Sequence, residues 1–129
     1  MWKSLSSALL AFAVPLSAHA WKVSDMWWND TESGWGLNIV QQGAKLFSTF
    51  FVYGTDNKAT FFVAPDSTCA TTNGVRSCAG LLYQTTGPAF SAATFNSGSV
   101  ANRQVGNFSI TFPTVSTANL TYTVDGATV

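Results

Sequence analysis

From Trp35 onward the chain alternates apolar and polar residues with a period of two, the mark of strands with one face in a core. Trp35, Leu37 and Ile39 share one face of a first strand, with Gly36, Asn38 and Val40 on the other. A turn is expected at Gln41-Gln42-Gly43. A second strand runs over Leu46–Tyr53 and is dense in Phe47, Phe50, Phe51 and Val52. Gly54-Thr55-Asp56-Asn57-Lys58 is strong turn chemistry. Ala59–Val63 forms a third strand that Pro65-Asp66 ends, and the polar stretch Ser67–Ser77 reads as a loop or ragged hairpin end. Ala79–Thr85 is a fourth strand stopped by Gly87-Pro88. Residues 89–104, rich in Ala, Ser and Asn, read as a long loop. Val105–Phe112 sets Phe108, Ile110 and Phe112 against Ser109 and Thr111. Ala118–Val124 sets Leu120, Tyr122 and Val124 against Thr121 and Thr123, before an Asp125-Gly126 turn. No segment after residue 20 has the 3.6-residue period of an amphipathic helix. The pattern predicts an all-β protein: a small antiparallel meander or barrel-like sheet of about five to seven strands, following an N-terminal signal helix.

That leading segment breaks the pattern. Met1-Trp2-Lys3 is short and basic, Leu5–Leu16 is apolar, and Ser17-Ala18-His19-Ala20 puts small residues where a signal peptidase reads. The apolar run is too short to span a bilayer, which takes about 20 residues. Residues 1–20 are therefore expected to be a signal peptide cleaved near Ala20. Residues 21–129 are expected to form one β-domain, periplasmic or secreted, with no membrane span in the mature chain. A turn at Asp125-Gly126 followed by three residues leaves two readings, a minimal last strand or a C-terminally truncated domain. An unfinished sheet would expose an edge open to a second copy.

Cleavage changes what chemistry is available. His19, the only histidine, leaves with the signal, as does Lys3, one of six basic residues against six acidic ones. A near-neutral surface gives no electrostatic reason to expect nucleic acid. A domain without histidine cannot build a Ser-His-Asp or Cys-His nucleophile. Two cysteines remain, Cys69 and Cys78. In an oxidising compartment such a pair is expected to form a disulfide. No further Cys or His is present to complete a metal site, so neither metal nor cofactor is expected.

Trp27-Trp28-Asn29-Asp30-Thr31-Glu32-Ser33-Gly34-Trp35-Gly36-Leu37-Asn38 resembles the W-x-N-P-x-E-S-G-W-G-x-N opening of an uncharacterised family of secreted proteobacterial β-domains. Leu46–Tyr53, Gly80–Phe90 (matching G-x-L-Y-x-T-x-G-P-x-F), Val105–Phe112 and Leu120–Gly126 resemble later family segments, so the likeness runs from about residue 27 to 126. Asp30 stands where the family has Pro, and Phe51 where it tends to carry Trp. Members continue past the last turn into a further strand. The resemblance implies a small antiparallel β-meander or barrel and no particular activity.

The residues that could carry function sit in the same opening. Trp27, Trp28 and Trp35, with Asn29 and Glu32, are the candidate ligand-binding residues, because exposed aromatics on a β-face can stack on sugar rings. Large rings also fill small β cores, and alternation places Trp35 with Leu37 and Ile39, hence in the core. Adjacent Trp27 and Trp28 should point opposite ways, which makes one of them the better exposed contact. Asp30 and Glu32, the latter the only glutamate in the chain, could act as an acid–base pair on a glycoside. More often such acids fix a turn by accepting backbone N–H bonds. Gly34 and Gly36 suit a bulge or bend better than phosphate binding, since no helix follows. The expected function is a non-catalytic binding or interaction module for a carbohydrate or small hydrophobic ring-bearing ligand. The alternatives are an assembly protein pairing as a homodimer through an open sheet edge, and a small carboxylate-dependent hydrolase.

Overall fold

The computed structural model describes residues 21–128; the expected signal helix lies outside the described residues. Eight strands follow: β1 Asp25–Trp27, β2 Gly36–Gln42, β3 Lys45–Tyr53, β4 Ala59–Thr72, β5 Val75–Thr86, β6 Ala101–Phe112, β7 Asn119–Val124 and β8 Ala127–Thr128. They form one antiparallel meander in which each strand pairs with its sequence neighbours. The count exceeds the five to seven expected because β1 and β8 have three and two residues, too few for alternation to show.

Turn chemistry sets the hairpins. Asn73-Gly74 and Asp125-Gly126 both take positive φ, 50° and 78° in the first and 49° and 86° in the second, as two-residue type I′ turns require. Asn57, at φ 59°, closes the β3–β4 turn, where its N–H donates to the Gly54 carbonyl at 2.9 Å.

One expectation is resolved and two are corrected here. First, of the two readings of Ser67–Ser77, loop or hairpin end, the second holds: these residues form the end of a long β4–β5 hairpin around Asn73-Gly74. Cys69 and Cys78 are direct cross-strand partners there and form the expected disulfide. Closing so short a loop is worth about 2.5 kcal/mol by chain entropy. Second, Pro65-Asp66 bends the third strand rather than ending it. Leu46 pairs with Ser67 and Ser48 with Ala64, so Pro65 and Asp66 together oppose Phe47. Pro, which has no N–H to give, is tolerated at such a bulge. Third, β6 begins at Ala101, not Val105. Residues 101–104 are exposed throughout, so they have no buried face and no alternation to read.

The inward face of the sheet closes over its own core. Leu37 and Ile39 from β2, Leu46 and Phe50 from β3, Phe62 and Ala64 from β4, Leu82 from β5, and Phe108, Ile110 and Phe112 from β6 are all buried. Ring contacts join strands that are not neighbours. Trp27 meets Phe112 edge-on at 5.2 Å, and Phe50 meets Phe108 at 5.4 Å and Tyr122 at 5.3 Å. The sheet is therefore rolled, bringing β1–β3 against β6–β7. Bulges and the right-handed twist of strands supply the curvature. Gly80 lets β4 crowd β5, since a Cβ there would lie 2.6 Å from Ser67 Oγ. Beyond β7, Arg103 pairs with both carboxylate oxygens of Asp125 and with Gln84 Oε1, pinning the last turn to β5 and β6.

The roll is not closed by a ladder. Among the described residues β1 pairs only with β2, and β8 covers only Thr123 and Val124 of β7. No helix among them is long and apolar enough to cross a membrane. The disulfide is compatible with an exported protein.

Candidate functional site

Where the two ends of the meander face each other, a cleft of about 820 Å³ opens. One wall is the β1–β2 connection, with Trp27, Trp28, Asn29, Asp30, Glu32 and Trp35. The other is the β6–β7 connection and β7, with Ser116, Thr117, Asn119, Leu120 and Tyr122. Ala118 and, from the core, Leu37 and Ile110 complete the lining. All five candidate ligand-binding residues thus lie on one cleft.

The first wall is built by local hydrogen bonds. The Trp27 indole N–H donates to the Val23 carbonyl at 3.0 Å, and its ring packs on Phe112. Trp27 is therefore an anchor, half-buried against the core. Trp28, one residue on, points away and is 67% exposed. Alternation foresaw that split without deciding which tryptophan would be outside. The chain then turns at Asn29. Its backbone carbonyl accepts from the Glu32 N–H at 3.1 Å, and its side-chain oxygen accepts from the Thr31 N–H and hydroxyl. Asn29 therefore spends its carboxamide oxygen on shaping the wall. Gly34, at φ 115°, then takes a backbone conformation that side-chain-bearing residues avoid, which fits the bend expected there.

Two expectations change at this wall. Trp35 does not sit in the core with Leu37 and Ile39. It precedes β2, is half-buried, and turns its indole N–H to Glu32 Oε2 at 3.1 Å. Strand parity does not extend to it, because β2 and its regular pairing begin only at Gly36. Nor does the Glu32 carboxylate fix the turn through backbone N–H groups. Asn29 does that, and Glu32 holds Trp35 instead.

The second wall was not legible as a site. Leu120 and Tyr122 alternate as core residues do, and nothing local marks Ser116, Thr117 or Asn119. Tyr122 serves both roles, its ring lying on Phe50 while it lines the cleft. Burial raises its phenol above the ordinary value, and the charge of Glu32 raises it further.

Rings, hydroxyls, two carboxamides and two carboxylates converge here on an apolar floor. Small-molecule sites have this composition: apolar surface for affinity, a few polar groups for orientation. The described residues contain no cluster of acids or cysteines suited to a metal ion. No protein-family model, curated protein or solved structure matches the chain.

Proposed function

We propose that this chain is an exported, non-catalytic binding module that takes a carbohydrate or similar ring-bearing ligand in the cleft between the β1–β2 connection and β7. The observation that carries the reading is Trp28. A large apolar ring left 67% exposed at the mouth of a cleft that also holds Trp35 and Glu32 is a stacking platform with polar partners beside it. On this reading, the opening segment Trp27–Asn38, which resembles that of the secreted β-domain family, forms a wall of a ligand site.

Isothermal titration against glycans, cell-wall fragments and small aromatic compounds tests it. Binding to at least one ring-bearing class is expected. Trp28→Ala should weaken it about tenfold or more, the scale of one lost ring contact of 1.4 kcal/mol. The melting temperature should hardly move, since exposed positions cost within about 0.5 kcal/mol. No binding across the set, or full binding by Trp28→Ala, overturns the reading.

A second reading rests on the uneven cover of β7. Asn119–Tyr122 pair with β6 on one side only among the described residues, and such an edge can accept a strand from another chain. Light scattering distinguishes the two. A dimer whose formation blocks ligand would favour assembly, and a monomer at high concentration would remove that reading.

A further inference from the structure

Resting on that binding reading, we infer that the cleft selects ring compounds bearing a positive charge, foremost sugars with a free ammonium group, over their neutral counterparts. Of the five basic residues among those described, three are paired and two, Lys22 and Arg76, lie outside the cleft lining. Lys45 pairs with Asp66, Lys58 with Asp56 and Arg103 with Asp125. The three acids without an ion-pair partner among the described residues, Asp25, Asp30 and Glu32, all lie on β1 and the connection after it. Asp30 and Glu32 line the cleft, and no Lys, Arg or His does so among the described residues. The cleft therefore carries uncompensated negative charge.

Its walls add to that preference. The faces of Trp and Tyr rings are negative and attract ammonium groups, Trp most strongly. Three tryptophans and Tyr122 line this one cleft. Glu32 uses Oε2 to hold the Trp35 indole, leaving Oε1 without a partner among the described residues. An ammonium group bonded to Oε1 would sit beside the ring that Glu32 itself holds. A neutral sugar can stack on the same rings but gains nothing from the carboxylates' charge. Both carboxylates are exposed, so the gain must fall with added salt.

The test uses β-1,4-linked glucosamine and glucose tetramers, which differ by an ammonium in place of a hydroxyl on each ring, at about pH 6 where such amines are protonated. Titration should show the glucosamine tetramer binding about tenfold tighter at low salt, the factor set by one good charge contact, with the difference shrinking at high salt. Glu32→Gln keeps an oxygen to accept from Trp35 yet removes the charge. It should erase most of the preference by weakening the glucosamine tetramer several-fold more than the glucose tetramer, with Asp30→Asn acting in the same direction. Equal or tighter binding of the glucose tetramer overturns the charge inference and leaves ring binding standing. A Glu32→Gln loss shared equally by both tetramers also overturns it. Binding of neither tetramer overturns the charge inference, while ring binding stands or falls with the wider set of glycans, cell-wall fragments and aromatic compounds.

Discussion

Gly106→Ala should unfold much of this protein's stability margin, lowering it by about 3 kcal/mol or more, at the upper end of overpacking costs. Gly106 lies on β6 beside a bulge. Leu82 pairs with Gly106 and Tyr83 with Gln104, so Val105 stands unpaired with its side chain in the core. The backbone of β7 closes on that bulge. The Asp125 N–H donates to the Val105 carbonyl at 2.8 Å, and the Asn107 N–H donates to Thr123 Oγ1 at 2.9 Å. A Cβ at 106 would overlap the Thr123 carbonyl. The obstacle is backbone rather than a side-chain tip, so it cannot swing aside. Relief requires β7 to move off β6, which breaks both hydrogen bonds and lifts Tyr122 from Phe50. For a chain of this size about 3 kcal/mol corresponds to a melting-temperature loss of roughly 12–20 °C. Gly87→Ala is the control, because its methyl would meet Val100 at an ordinary 3.5 Å. If Gly106→Ala melts within a few degrees of the parent, the described packing of β7 on β6 is wrong.

Phe50→Ala should cost about 3–5 kcal/mol, the range for truncating a buried phenylalanine, while Phe51→Ala should cost about 1 kcal/mol or less. The two rings are adjacent on β3 and face opposite ways. Phe50 is fully buried and touches Phe108 and Tyr122, the contacts that hold the rolled halves of the sheet together. Phe51 is half exposed on the outer face, opposite Phe61. Against a total stability of about 5–15 kcal/mol, the first loss is a large share. Denaturant midpoints of the two variants measure the contrast. Because a one-residue slip moves every side chain to the other face, a reversed order would mean that β3 pairs in the shifted register. Phe50→Ala should also blunt ligand binding, since Tyr122 would lose its support.

Much of the fold was written in local pattern. The six longer strands, the turns at Asn57 and Asp125-Gly126, and the Cys69–Cys78 bridge all follow from features a few residues wide: alternation, residues that tolerate positive φ, and an even cysteine pair. Where local pattern failed, it failed for local reasons. Ala101–Gln104 buries no face and so alternates invisibly, Asn73-Gly74 sat inside a stretch polar enough to leave loop and hairpin end both open, and Trp35 lies just outside β2, where strand parity no longer applies.

The candidate site divides along the same line. One wall, Trp27 to Trp35, is contiguous, and its aromatic and acidic character stood out in the sequence alone. The other wall became part of the site only through tertiary structure. Ser116–Tyr122 reach the tryptophans because bulges such as that at Pro65-Asp66 and the tight approach of β7 at Gly106 roll the sheet. A two-residue period reports which face a side chain takes. It carries no information on how far successive strands turn, and that accumulated turn brings the two ends of the meander together around the cleft.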